Sequence, residues 1–226
     1  MSAVQRPLSN HVALVTGASR GVGRGIALQL GEAGAKVYVT GRPQKNLAGK
    51  QSSLENVAAE IIERGGVGIP IFCDHSDPEN VKELFEQIKT ENNGQLDILV
   101  NNAYSDVDIL FDNTTRKFYD YDPVESFDSA NNVGFRNHYI CSVYASRLMI
   151  PRKQGLIVTI SSPAGMGYIF DVALGIGKAG CDKLASDMTV DLLNTGVLSV
   201  SLWPGAVKTE AVQEALLKCD NDNVSQ

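Results

Sequence analysis

The first strongly patterned stretch is Val12-Ala13-Leu14-Val15, an apolar run with no polar face, as in a strand covered on both sides. Three glycines, Gly17, Gly21 and Gly23, follow at once, and apolar Ile26, Ala27 and Leu30 then return at helical spacing. The same alternation continues down the chain. Strands are predicted at residues 36–40, 68–73, 96–100, 156–160 and 198–202. Between them, Leu54, Val57, Ala58, Ile61 and Ile62 form a helical stripe stopped by Gly65-Gly66. Asp77-Pro78 opens a second stripe of Val81, Leu84, Phe85 and Ile88. Longer helices are predicted from Pro123 toward Leu148 and over residues 176–193, and a short one near 211–217.

Strands alternating with helices imply right-handed crossovers and an α/β doubly wound parallel sheet with helices on both faces. No repeat or internal linker interrupts the pattern, so residues 1–218 read as a single domain and 219–226 as a polar tail. Residues 43–53 form a polar insertion, and the charged stretch 105–122 is expected to be a surface loop near the mouth of a site.

With 226 residues, 43% of them hydrophobic, the chain can bury one substantial core. A formal charge of -6 and the lack of a basic cluster argue against nucleic acid or an anionic membrane as partner. Cys73, Cys141, Cys181 and Cys219 are far apart, which suggests buried free thiols and neither a zinc site nor a disulfide framework. His11, His75 and His138 lack the short spacing of metal ligands, so no metal is expected. The N-terminal residues lack the apolar core of a signal peptide, and no run approaches the ~20 residues of a membrane span. The expected location is cytoplasmic, and the expected partner a small molecule.

A strand, a glycine turn and a helix in that order can hold a pyrophosphate. Absent side chains let the backbone bend and approach, while free N–H groups and the positive helix end attract an anion. The spacing Thr16-Gly17-x-x-x-Gly21-x-Gly23 resembles the short-chain dehydrogenase/reductase family. TGASRGVGRGIALQL, TGR, NNAY, NNVG, LIVTISSP, GKAGCDKLA and SLWPG follow in family order, with resemblance to the dehydrogenase/reductase member 1 subgroup. The resemblance implies a seven-stranded Rossmann-like sheet and hydride transfer between NAD or NADP and a carbonyl or alcohol carbon. Its glycine loop would use Gly17, Ser19, Arg20, Gly21, Val22 and Gly23. Few residues follow Leu217, so the expectation is a C-terminally shortened fold without the family's seventh strand, the sixth strand forming a sheet edge.

Charge selects between the two cofactors. Where an acid would hold the ribose hydroxyls at the end of the second strand, this chain has Gly41-Arg42. Arg42, with Arg20 in the loop, suits a 2′-phosphate, so NADP (NADPH) is expected. The resemblance further implies that Asp74 meets the adenine and that Asn101 and Ala103 flank the cofactor. Pro204, Gly205 and Thr209 would touch its nicotinamide amide and phosphates. Tyr104 stands where the family has glycine.

In the family a serine polarises the carbonyl, a tyrosine donates the proton, and a lysine four residues later holds the ribose. An asparagine completes a water relay. The resemblance assigns the serine to Ser161, with Ser162 as the alternative, and the lysine to Lys178. The tyrosine position is Leu174, and Tyr168 lies ten residues before Lys178. Asn131 and Asn132 are near the asparagine position, but alignment through His138-Tyr139 places Gly134 there. Two functions fit. One is an NADP-dependent oxidoreductase of carbonyl or alcohol substrates, impaired by Leu174, possible pseudoenzyme included. The other is a non-catalytic NADP(H)-binding regulator or redox-state sensor. A homo-oligomer through the two long helices is compatible with either.

Overall fold

The computed structural model describes residues 6–43, 53–105, 117–210, 212 and 213. Six parallel strands form one sheet in the order β3-β2-β1-β4-β5-β6: β1 Val12–Val15, β2 Lys36–Gly41, β3 Val67–Phe72, β4 Ile98–Asn101, β5 Gly155–Ile160 and β6 Val197–Leu202. The helices that flank it are α1 Gly21–Glu32, α2 Ser53–Glu63, α3 Pro78–Glu91, α4 Pro123–Asn131, α5 Asn137–Met149 and α6 Val172–Asp191. The chain leaves β1 toward β2 and β3, then returns to the other side of β1 for β4, so strand order reverses between β1 and β4. Crevices in open α/β sheets lie beyond the C-terminal strand ends at such a reversal.

Strand alternation builds two cores. Leu14 and Tyr38 face one with Leu84, Phe85, Ile88, Cys141 and Met149 of α3 and α5, while Ala13, Val15, Val37 and Val39 face another with Leu28, Leu54, Val57 and Ile61 of α1 and α2. Leu14, Leu99 and Ile157 are fully buried, each worth about 1.5–3 kcal/mol of apolar transfer. Among the described residues β6 pairs only with β5, and its Leu198, Val200 and Leu202 are exposed. Cys73, Cys141 and Cys181 are buried free thiols, as expected, and Cys219 lies outside the described residues. Glu210, Val212 and Gln213 are helical, in keeping with the helix predicted near 211–217, while the rest of that helix and most of the 43–53 insertion lie outside the described residues.

The structure divides the predicted helix from Pro123 to Leu148. A five-residue π turn, Asn132–Arg136, separates α4 from α5. The last long helix starts earlier than its apolar pattern suggests, at Val172, because Asp171 accepts a hydrogen bond from Leu174 N at 2.8 Å and caps it.

Asp97 joins the strand beginnings. Its buried carboxylate accepts from Val12 N at 2.8 Å and Gln95 Nε2 at 2.6 Å, while its backbone N donates to Val12 O and its carbonyl accepts from Leu156 N. At the other strand ends, His75 bridges Thr40 Oγ1 at 2.7 Å and Asn137 Oδ1 at 3.2 Å. His138 Nε2 donates to Ala103 O at 3.1 Å. Asp182 of α6 accepts from Ser201 Oγ and from Trp203 Nε1 at 2.8 Å, holding the end of β6 to the helix.

Asp97→Ala strands the Val12 N–H and should lower unfolding free energy in urea by about 1–3 kcal/mol. The histidines carry a pH dependence. Burial lowers His138 to about 3 and His75 to about 4, so both are neutral in the fold. Unfolded histidine protonates near 6.5, so between that pH and about 4 the unfolded chain binds more protons, and stability falls as pH drops. Each histidine should contribute a slope of up to about 1.4 kcal/mol per pH unit in urea denaturation, and His75→Gln should remove its share.

Candidate functional site

The C-terminal ends of β1 and β4 meet through Thr16. Its hydroxyl donates to Val100 O at 3.2 Å and accepts from the backbone N–H groups of Asn102 at 2.9 Å and Ala103 at 3.0 Å. The Asn102 amide returns the contact, donating from Nδ2 to the carbonyls of Thr16 and Gly17, both at 2.9 Å. This draws the glycine loop against the β4 turn. Gly17 has φ +65°, and a Cβ there would lie 2.7 Å from Ala103 Cα. A Cβ at Gly23 would collide with Asn102 Nδ2 and the Gly17 carbonyl. Only glycine fits either position, and the chain turns close beneath the start of α1.

The α1 N-terminus has no local anion. Arg20 at the cap position makes no side-chain capping bond, and the first turn holds no acidic residue. Its Gly21 N donates to the Glu210 carboxylate at 2.9 Å. Ser19 packs against Gly41 at the end of β2, which places Arg42 beside the loop. Arg42 also faces Asp74. Burial opposes the Asp74 charge, but hydrogen bonds from Ser76 and the Arg42 charge outweigh it and hold the carboxyl below its usual range. The exposed Arg20, Arg42 and the glycine loop therefore form one edge of the crevice.

Asn101 is turned elsewhere. Fully buried, it donates from Nδ2 to Ser142 Oγ at 2.9 Å and to His138 O at 3.3 Å, so its side chain secures α5. Ala103 is fixed behind by His138, whose other ring nitrogen lies 3.5 Å from Cys181 Sγ. Since Ala103 O only accepts, the proton is on Nε2, while the Cys181 thiol donates to Gly134 O at 3.3 Å.

Ser161 and Lys178 are brought together at the other edge. Ser161 directly follows β5 and donates from Oγ to Lys178 O at 3.1 Å. Ser162 caps the following turn, its Oγ accepting from Ala164 N at 3.3 Å. Lys178 donates from Nζ to Ile160 O at 3.2 Å, and the ammonium lies 5.2 Å from the centre of the Tyr104 ring. Burial lowers the Lys178 pKa. The Tyr104 ring fills the space that Gly134 leaves, since a Cβ at Gly134 would lie 2.6 Å from Tyr104 Cδ2.

Leu174, one turn before Lys178, is buried, 6% exposed. Tyr168 points away from this pair, 76% exposed, with its hydroxyl donating to Phe170 O at 2.9 Å. Asn131 packs on α6, donating to Ala173 O at 3.1 Å, and Asn132 accepts from Arg136 at 3.2 Å. Pro204 and Gly205 leave β6 toward the loop, and Thr209 reaches it, with a methyl 3.4 Å from a Cβ built on Gly21. Residues 106–116 of the predicted mouth loop lie outside the described residues.

Thr16 stands in the spacing motif without an assigned role, and Asn102, His138 and Glu210 are site-forming residues to which the motifs assigned none. The Asn-Asn pair after a strand was the one available signal for Asn102. Among the described residues no cluster of His, Cys, Asp or Glu could hold a metal, and no helix is long and apolar enough to cross a membrane.

A family model described as short chain dehydrogenase matches residues 11–219. The chain is 49% identical over 214 residues to dehydrogenase/reductase SDR family member 1 of Mus musculus, and 50% identical over 212 residues to that of Homo sapiens. It spans just under two thirds of those relatives, 66% of the mouse protein and 65% of the human one, while the matches cover 95% and 94% of this chain. Among solved structures, a metagenomic short-chain oxidoreductase in complex with NADP superposes with a TM-score of 0.77 at 30% identity, covering 89% of this chain and 85% of its own. A short-chain type dehydrogenase/reductase from Mycobacterium marinum gives 0.79 at 30% identity over 94% and 79%. The six-stranded parallel sheet agrees with these likenesses, and the chain belongs to the short-chain dehydrogenase family.

Proposed function

We propose that the protein binds NADP(H) in the crevice between β1 and β4 and acts as a slow oxidoreductase of a small carbonyl or alcohol substrate. The cradle supports the first half of this reading: Gly17 and Gly23 sit where any side chain would clash, and the α1 N-terminus faces outward as an anion seat. Gly17, Ser19, Arg20, Gly21, Val22 and Gly23 would take the pyrophosphate side, and Arg42 with Arg20 the 2′-phosphate. Asp74 would meet the adenine. Asn101 and Ala103 would act through the β4 turn, and Pro204, Gly205 and Thr209 would flank the nicotinamide. When bound, the cofactor would supply or accept the hydride.

The protein's own part is orientation, charge and protons. Ser161 would hydrogen-bond the carbonyl oxygen and stabilise negative charge on it, after releasing the Lys178 carbonyl that it now contacts. Lys178 would anchor the ribose and add positive charge. The observation that carries the reading is Leu174: a buried hydrocarbon lies one turn before Lys178, where the family has its phenol. A positioned acid is typically worth 10²–10⁴ in rate, about 3–5 kcal/mol of barrier. The same leucine favours a second reading, a non-catalytic NADP(H)-binding protein that reports redox state. Assaying NADPH oxidation over aldehydes, ketones and quinones separates the two, since binding without turnover supports the second.

Two outcomes are expected. NADPH should bind at least about tenfold more tightly than NADH by nicotinamide fluorescence, because charge-assisted contacts from Arg20 and Arg42 add roughly 1.5–3 kcal/mol each. Arg42→Ala should erase most of that difference, and equal affinities in the unaltered protein would remove the basis for the cofactor choice. Leu174→Tyr should raise turnover by about tenfold or more on any substrate with trace activity, within the usual range for a general acid. Ordinary dehydrogenase rates in the unaltered protein would show that Leu174 does not limit it.

A further inference from the structure

Residues 207–210 lie beside the start of α1, and three of them face it. Val207 lines an apolar groove with Leu8, Val22, Gly25 and Ile26. Thr209 places its methyl over Gly21, and Glu210 gives its carboxylate to Gly21 N at 2.9 Å. The last contact joins residues 189 positions apart in sequence. It also falls on the amide that the glycine turn presents outward, at a helix end with neither a side-chain cap nor an acid in its first turn. The local sequence leaves an anion seat open, and a carboxylate from beyond β6 takes it.

We propose that this segment is a strap, with Glu210 occupying the seat of the cofactor pyrophosphate, so that nucleotide can bind only by displacing it. The inference rests on the cofactor-binding reading above. A carboxylate and a phosphate oxygen compete for the same N–H group and the same helix end, and like charge prevents them from sharing it. The strap can leave without disturbing the sheet. It begins after Trp203, which stays tied to Asp182, and Gly205 has no heavy atom within 4 Å of where its Cβ would be. Val207 shares an apolar groove with α1 and the Thr209 methyl lies near Gly21, so the residues before Glu210 already run beside the seat. The role that Thr209 would play toward bound nucleotide therefore begins from a position already over the loop.

The test compares the full chain with Glu210→Ala and Glu210→Gln in two measurements. Glu210 is exposed, so neither change should affect folding. Amide hydrogen exchange at Gly21 should accelerate in Glu210→Ala, because its acceptor is gone. The Kd for NADPH by nicotinamide fluorescence should fall about fivefold in Glu210→Ala, equivalent to ~1 kcal/mol, with a smaller gain in Glu210→Gln and a gain that shrinks as salt is added. Unchanged Gly21 exchange would overturn the strap, since no contact would exist. Faster exchange with an unchanged or higher Kd would also overturn it, making Glu210 a helix cap compatible with bound nucleotide while the cofactor reading stands. If neither NADPH nor NADH binds any of the three proteins, the cofactor reading fails and the strap falls with it.

Discussion

The crevice depends on one hydroxyl. Thr16 Oγ1 gives its proton to Val100 O and takes two from successive amides of the β4 turn, so the ends of the two strands that flank the reversal in strand order cannot part. Its bonds to the Asn102 and Ala103 amides satisfy N–H groups beyond the last ladder pair, and Val100 O also accepts from Thr16 N. Asn102 then binds the glycine loop to the same point. The opposite edge is built by β5 and α6, which meet at Ser161 and Lys178. Both edges are thus held through side-chain bonds to backbone, between β1 and β4 at the loop and between β5 and α6 at Ser161 and Lys178.

Much of this was legible in residue order because the sheet is buried on both faces. Every strand had to be apolar, and the helices had to show stripes, so β1, α1, β2, α2, β3, α3 and β5 follow from periodicity within a few residues. The exceptions have local causes. The Asp171 cap sets the start of α6 four residues before the apolar pattern resumes at Ile176. The π turn at Asn132–Arg136 keeps helical spacing well enough that Pro123 to Leu148 reads as unbroken. Residues such as Asn102, His138 and Glu210 could not be found by spacing, because their partners are 35 to 189 positions away.

The two residues that the motif singles out, Ser161 and Lys178, are neighbours in the fold, and the departures from the motif lie around them. Tyr104, Gly134 and Leu174 depart from the motif one by one in sequence, yet two of them are a single packing event. The Tyr104 ring needs the missing side chain at Gly134, and it spends its face on the Lys178 ammonium. Asn101 shows the opposite case, a motif residue whose side chain serves α5 and leaves only its backbone near the crevice.

The chain has one tryptophan, and the fold puts it at the hinge between a fixed strand and the residues that reach the glycine loop. Trp203 is 40% exposed, its indole N–H held by a carboxylate of α6. An indole in that setting is half in water and half in a fixed electric field, so its emission shifts when the backbone just beyond it changes course. The molecule therefore carries a built-in optical gauge of that segment, readable without any label.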